Sequence, residues 1–174
     1  MKTDIKFKAK RFLTRFSILA AICICASFSA DAQLPSVQLK DINGKLVDTA
    51  TLSNDGKPFV ISFWATWCKP CRRELKAIAE VYEDWQEETG MRLIAVSTDD
   101  AQNISKVKPV VDSSSWDYEV LLDPSGEFSR AMGVQNVPHT VLVDGNGNIV
   151  ESHAGYTDGS EDHLIEKIRE LVNK

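Results

Sequence analysis

The feature that most constrains this chain is a Cys-Lys-Pro-Cys segment, residues 68–71, that joins an apolar run to an amphipathic pattern. Before it, residues 59–64 read Phe-Val-Ile-Ser-Phe-Trp, the β-branched and aromatic composition of a buried strand. After it, apolar side chains recur at helical spacing up to Gly90, a residue suited to end a helix. These apolar positions are Leu75, Ile78, Ala79, Tyr82 and Trp85. The two cysteines therefore stand where a strand meets the start of a helix.

A cysteine pair with this spacing suits thiol-disulfide exchange, in which one thiolate attacks and a second thiol resolves the mixed disulfide. Two intervening residues at a helix start place both sulfurs within bonding reach. The unpaired amides and the macrodipole of a helix N-terminus favour the thiolate. We expect Cys68, nearer the exposed end, to be the nucleophile and Cys71 to resolve the intermediate. Lys69 adds a positive charge and Pro70 stiffens the turn, and both influence the reduction potential.

Other uses of the pair fit less well. A structural zinc site requires about four ligands, and only three histidines accompany the two cysteines beyond residue 32. Covalent haem attachment requires His directly after the second cysteine, where Arg72 stands. We therefore expect no bound metal or cofactor. A non-catalytic metal or copper carrier that uses Cys68, Cys71 and His139 remains an alternative.

Residues 1–32 have the order of charge and apolar side chains that is typical of a secretory signal peptide. Six Lys and Arg precede an apolar run over residues 16–28, which is shorter than the roughly 20 residues of a membrane-spanning helix. The small-residue pattern Ala30-Asp31-Ala32 then predicts cleavage after Ala32, which leaves residues 33–174 as one domain. An uncleaved membrane anchor and lipid attachment at Cys23 or Cys25 are the alternatives.

Residues 33–174 are acidic, with 14 Lys and Arg against 23 Asp and Glu, a formal charge of −9. This charge gives no reason to expect nucleic acid or an anionic membrane as a partner. Cleavage would also remove Cys23 and Cys25 and leave only Cys68 and Cys71. A structural disulfide in an oxidising compartment usually closes a long loop, so a bond across two residues is poorly explained as a staple.

The remaining pattern alternates strands with helices. It predicts an N-terminal hairpin that turns at Asn43-Gly44, strands over 92–97 and 118–122, helices over 101–111 and 124–132, and a hairpin formed by 139–143 and 149–153. A terminal helix closes the chain, and we expect Asp158 or Ser160 to cap its free amides. This order indicates an α/β fold with a mixed sheet that is covered on both faces.

The run Phe63-Trp64-Ala65-Thr66-Trp67-Cys68-Lys69-Pro70-Cys71, followed far along the chain by Val137-Pro138, resembles the thioredoxin superfamily. Within it, the chain is similar to the exported TlpA/ResA-like branch. The resemblance implies a thioredoxin-like mixed sheet flanked by helices on both faces, with an N-terminal β-hairpin. It also implies a cis Val137-Pro138 peptide beside the cysteines. We expect Trp67, Val137 and Pro138 to bind the substrate.

One departure from thioredoxin concerns the carboxylate near the resolving thiol. Thioredoxin has a buried Asp in the strand before its active site, and Ser62 occupies that position here. In ResA-like relatives a carboxylate follows the next strand, where this chain offers Asp99 or Asp100. Either could act as a base for Cys71, and helix capping is the alternative for both. His139 stands where many relatives carry Thr, and we interpret it as a polar residue that enters a strand.

The resemblance implies an extracytoplasmic enzyme that reduces disulfides of exported proteins, in a setting such as cytochrome c maturation. A membrane electron donor would restore its thiols, and we expect a monomer. The alternative enzyme is a peroxidase of the AhpC/TSA type. Such enzymes carry Thr three residues before the reactive cysteine and a Pro ahead of it, whereas Ala65 stands there in this chain and no Pro precedes it locally.

Overall fold

A computed structural model describes residues 33–114 and 116–173, so the predicted signal peptide, residues 1–32, lies outside the described residues. In this part of the chain seven strands form one sheet: β1 Gln38–Asp41, β2 Leu46–Asp48, β3 Phe59–Trp64, β4 Arg92–Ser97, β5 Glu119–Leu122, β6 His139–Val143 and β7 Ile149–Ala154. Four α-helices accompany them: α1 Lys69–Thr89, α2 Val107–Ser114, α3 Glu127–Ala131 and α4 Ser160–Val172.

The sheet has the order β2-β1-β5-β4-β3-β6-β7. Strands β3, β4 and β5 are parallel, while β6 runs antiparallel to β3 and β1 antiparallel to β5. All six residues of β3 are buried, because alternate side chains enter the cores on the two faces of the sheet. Helices α1, α2 and α4 cover one face, and α3 with the segment before β1 covers the other. This is the mixed α/β sheet of the thioredoxin-like fold.

The first two strands, β1 and β2, pair antiparallel with Leu39 opposite Val47. Their connection turns at Gly44, whose φ of 88° lies in the left-handed region that glycine adopts without a steric penalty. The carboxylate of Asp41 accepts hydrogen bonds from the amides of Asn43 and Lys45 and so fixes the turn. The sheet places this pair beside β5, far from the end of β3 that carries the cysteines.

Two helices begin later than the sequence pattern predicts. The prediction of a helix over 101–111 was wrong at its start, since α2 begins only at Val107. The Asp100 side chain accepts hydrogen bonds from the amides of Gln102 and Asn103 and so holds a turn before the helix. Pro109 lies in the first turn of α2, where no intrahelical N–H bond is required of it. The helix predicted over 124–132 starts only at Glu127 because Gly126, at φ 66°, precedes it.

The terminal helix α4 follows Gly159 without a side-chain cap, so the expected cap from Asp158 or Ser160 was wrong. Asp158 instead pairs with Arg73 of α1 at 3.3 Å. None of the helices in the described part of the chain combines the length and the apolar character needed to span a membrane.

Candidate active site

The cysteine pair lies at the junction of β3 and α1. Cys68 is the N-cap of α1, and its Sγ accepts a hydrogen bond from the Cys71 amide at 3.2 Å. A disulfide joins Cys68 to Cys71, whose Cα atoms are 5.3 Å apart. Cys68 retains 4% of its accessible surface and Cys71 none. Of the two sulfurs, only that of Cys68 is therefore open to a partner.

The position of the Cys68 sulfur explains how this site would stabilise a thiolate after reduction. An amide N–H that already points at the sulfur can donate to the anion, and the unpaired amides of the first helical turn add to this field. Pro70 occupies the first turn of α1, where its missing N–H removes no helical bond. Lys69 is exposed and brings a positive charge next to Cys68.

The loop before the cysteines is fixed by Asp99, which follows β4. The fully buried Asp99 carboxylate accepts hydrogen bonds from the Thr66 amide at 2.8 Å, the Thr66 hydroxyl at 2.6 Å and the Ser97 hydroxyl at 2.9 Å. Hydrogen bonds to an ionised acceptor are among the stronger ones in proteins. The carboxylate thus ties the loop, two residues before Cys68, to the end of the central sheet.

Asp100, the other carboxylate that the sequence offered, is exposed, and among the described residues its carboxylate accepts hydrogen bonds only from Gln102 and Asn103. Both aspartates therefore have hydrogen-bond partners other than the cysteines.

A shallow groove of about 290 Å³ is lined by Trp67 and Val137, two of the three residues that were expected to bind substrate; Pro138 is buried and does not line it. The Val137-Pro138 peptide bond is cis, as the resemblance implied, and β6 begins directly after it. Trp67 is 67% exposed at the groove, which makes it the most exposed aromatic side chain of the described residues. We name this surface the substrate groove; its lining residues are Trp67, Thr98, Ser129, Val134, Gln135, Asn136 and Val137.

The sequence interpretation missed a buried carboxylate one turn beyond Cys71. Glu74 is 3% exposed; its Oε1 accepts a hydrogen bond from the Thr140 hydroxyl at 2.7 Å, and its Oε2 has no partner among the described residues. Burial raises the pKa of Glu74 to about 7, although the Thr140 bond acts in the opposite direction. Glu74 comes three residues after Cys71 and four before Ile78, so helical spacing places it beside the apolar stripe of α1. This spacing is the sequence signal that predicts a buried position for Glu74.

Ser62 lies in the same buried region. It is the β3 neighbour of Thr140, and its hydroxyl is fully buried without a partner in the described part of the chain. Ser62 and Glu74 are thus both neighbours of Thr140, and within the described residues the Ser62 hydroxyl and the Glu74 Oε2 have no hydrogen-bond partner.

His139, considered as a metal ligand, begins β6 and its Nε2 lies 2.7 Å from the Ser152 hydroxyl of β7. Burial, followed by the nearby His153, lowers the pKa of His139 below its ordinary value. Among residues 33–114 and 116–173, no three His, Cys, Asp or Glu side chains cluster as they would around a metal ion.

Comparisons with known proteins agree with this geometry. The profile of the AhpC/TSA family matches residues 30–152. The thiol-disulfide oxidoreductase ResA of Halalkalibacterium halodurans is 29% identical over 178 residues, which cover 95% of this chain and 97% of the relative. ResA of Bacillus subtilis is 28% identical over 162 residues, which cover 85% of this chain and 87% of the relative.

A solved structure is also similar to this chain. A thioredoxin-like protein from Porphyromonas gingivalis is 63% identical, with a TM-score of 0.74, over 82% of this chain and 93% of that protein. The geometry of the site agrees with these relatives, since a Cys-x-x-Cys pair lies between a strand and a helix and a cis proline precedes β6. The chain therefore belongs to the AhpC/TSA family, among its thioredoxin-like thiol-disulfide oxidoreductases of the ResA type.

Proposed function

We propose that this enzyme reduces disulfides of exported proteins through Cys68 and Cys71. The observation that carries the proposal is the position of the Cys68 sulfur at the N-cap of α1. There it accepts a hydrogen bond from the Cys71 amide, and the preceding residue, Trp67, lines the substrate groove. This arrangement stabilises a thiolate on the accessible sulfur and keeps the second sulfur buried behind it.

The reaction transfers two electrons to the substrate in two exchanges. The Cys68 thiolate attacks one sulfur of the substrate disulfide; the substrate S–S bond breaks, and the departing thiolate takes a proton from solvent. Cys71 then loses its proton and attacks the Cys68 sulfur, which releases the second substrate thiolate. The enzyme ends with the Cys68–Cys71 disulfide, the state that this structure holds.

Glu74 is the group best suited to take the proton from Cys71. It lies one helical turn away on the same side of α1, is shielded from solvent, and has an oxygen without a partner. Its pKa of about 7 means that both protonation states are populated near neutral pH, as a general base requires. Asp99, which the sequence offered for this role, acts here as a positioning residue through Thr66.

The cellular setting is also proposed. A signal peptide over residues 1–32 would export residues 33–174 as one monomeric thioredoxin-like domain, with an uncleaved anchor as the alternative. Outside the cytoplasm a membrane electron donor would restore the thiols, and cytochrome c maturation or general thiol homeostasis would supply the substrates. N-terminal sequencing of the protein from fractionated cells tests the export proposal: a mature chain that starts at residue 33 supports it.

The test of the chemistry is the redox equilibrium of residues 33–174 in thiol buffers, read by alkylation of free thiols. We expect a reversible two-electron transition well below about −200 mV, the range of reductants, whereas an oxidant would lie near about −120 mV. Cys68→Ser and Cys71→Ser serve as controls. A transition that survives the loss of Cys71, or the absence of any reversible transition, contradicts the dithiol mechanism.

A peroxidase is the second candidate, because the family whose profile matches is described as AhpC/TSA. The residues before Cys68 argue against it: Ala65 stands where such peroxidases carry Thr, and the hydroxyl of the neighbouring Thr66 donates to Asp99. We expect peroxide turnover, measured with a thiol regenerating system, at the background rate of a free thiol. Turnover that is lost in Cys68→Ser and retained in Cys71→Ser would favour the peroxidase.

A further inference from the structure

Helix α1 carries its charges in two blocks. The first half holds four cations, and its only carboxylate is the buried Glu74. The cations are Lys69, Arg72, Arg73 and Lys76. The second half holds five carboxylates and no cation. A helix macrodipole favours anions near the N-terminus and cations near the C-terminus, so the charge order of α1 opposes its own dipole. Helix stability therefore does not explain this pattern.

The four cations of α1 line a groove of about 580 Å³ together with Ser113, Ser114 and Trp116, which we name the cationic groove. The Trp116 indole is 8% exposed and packs edge-on against Trp64, with ring centroids 5.2 Å apart. This contact holds the indole in place as part of the wall. The cationic groove thus combines positive charge with a fixed aromatic surface.

Two cations of this groove have no charged partner in the described part of the chain. Arg73 pairs with Asp158 at 3.3 Å and Lys76 with Glu80 at 3.8 Å. Within residues 33–114 and 116–173, no carboxylate lies within 4.0 Å of Lys69 or Arg72, and both side chains are exposed. The cationic groove therefore keeps a net positive charge in a domain whose formal charge is −9.

The two grooves are lined by residues that adjoin Cys68 in the chain on either side. Cys68 stands in the chain between Trp67, which lines the substrate groove, and Lys69, which lines the cationic groove. A protein whose disulfide reaches Cys68 therefore comes near Lys69, one of the residues that line the cationic groove.

We propose that the cationic groove binds an acidic segment of the disulfide-bearing partner protein. Carboxylates of the segment pair with Lys69 and Arg72, and an apolar side chain packs against Trp116. Charge complementarity selects this occupant, because the rest of the domain is acidic and repels such a segment from other surfaces. The inference rests on the proposed function, since it assigns the class of partner that the cysteine pair reduces.

The test uses two disulfide-bonded peptides that differ only in three flanking residues, Glu in one and Gln in the other. The double variant Arg72→Glu with Lys76→Glu leaves two cations and two carboxylates in the groove, so the groove loses its net positive charge. The helix dipole favours Arg72→Glu, whereas Lys76→Glu replaces the ion pair with Glu80 by a like-charge contact, so urea unfolding checks that the variant is folded. Lys40→Glu with Lys45→Glu is the matched control, because it changes the net charge equally on exposed residues of β1 and the following turn.

For the unmodified protein we expect kcat/KM to be about 10-fold higher for the Glu peptide at low salt, and the ratio to approach one in about 0.5 M NaCl. The groove variant should lose the preference, and the control should keep most of it. The ratio of the two peptides within each variant cancels any change in the intrinsic reactivity of Cys68.

Equal reduction of both peptides by the unmodified protein would overturn the cationic groove as a docking site and leave disulfide reduction standing. An equal loss of preference in the control would also overturn it, since net charge alone would then explain the effect. If neither peptide is reduced, the proposed function fails and this inference fails with it.

Discussion

Asp99 and Glu74 are both buried carboxylates near the cysteine pair, and they differ in the number of hydrogen bonds that they accept. Asp99, after β4, accepts three hydrogen bonds from Thr66 and Ser97. Glu74, on α1, accepts one from Thr140 and keeps a second oxygen without a partner in the described part of the chain. Burial alone therefore does not assign a role; the number of donors around each carboxylate does.

The roles of the two carboxylates differ because the number of hydrogen bonds that each accepts differs. Three donors compensate Asp99 for the water it lost on burial, so its charge organises the loop. Glu74 has one donor, and burial raises its pKa to about 7. A group in that state can exchange a proton at neutral pH, whereas a fully bonded carboxylate is suited to hold structure.

The largest effect should come from Asp99→Ala. The substitution leaves the Thr66 amide and hydroxyl and the Ser97 hydroxyl without their acceptor, and we expect a loss of about 4 kcal/mol in the free energy of unfolding. Urea unfolding of the oxidised protein measures it. We also expect slower alkylation of Cys68 in the reduced protein, because the loop is no longer fixed.

Asp100→Ala is the matched control for Asp99→Ala. Asp100 is adjacent but exposed, and among the described residues its carboxylate accepts only from Gln102 and Asn103, so we expect a loss of about 1 kcal/mol and no change at Cys68. Equal losses of unfolding free energy in the two variants would show that the hydrogen bonds to Asp99 stabilise the protein no more than those to Asp100.

The next effect is a pH dependence that Glu74→Gln should remove. The folded pKa of Glu74 is about 7 against an ordinary value of 4.5, so its contribution to stability is fully present below 4.5 and is lost as pH rises to about 7. The loss amounts to about 3 kcal/mol. Gln can still accept from Thr140, so the variant should gain stability relative to the unmodified protein over this range.

Urea unfolding of the oxidised protein between pH 4 and pH 8 measures this difference, since the cysteines do not titrate in the disulfide. The exposed Glu80→Gln, on the same helix, is the control and should show no such trend. A constant stability difference between Glu74→Gln and the unmodified protein across this pH range would contradict the raised pKa. In the reduced enzyme, Glu74→Gln should also slow the resolution by Cys71.

The smallest effect separates two buried serines on neighbouring strands. The Ser97 hydroxyl donates to Asp99, whereas the Ser62 hydroxyl has no partner among the described residues. We expect Ser97→Ala to cost about 2 kcal/mol and Ser62→Ala less than about 0.5 kcal/mol, as unfolding free energies. Similar costs for both would mean that Ser62 has a bonding partner in solution, such as a buried water.

Local pattern by itself determined much of this protein. The bounds of β3 and β4 agree with those predicted, and the cysteine pair lies at the helix start as its spacing required. These features depend on residues close together in the chain, where composition and periodicity act directly. The N-terminal charge and apolar run likewise predicts export, a prediction on residues outside the described part of the chain.

Only the tertiary structure decided which polar groups surround the cysteines. Thr66 meets Asp99 across 33 residues of chain, and Glu74 meets Thr140 across 66. The start of α2 was also misplaced, because the Asp100 side chain competes with the helix for backbone amides. Burial and hydrogen-bond satisfaction depend on neighbours that the chain brings together only when the sheet forms, so no local pattern could separate the bonded Asp99 from the poised Glu74.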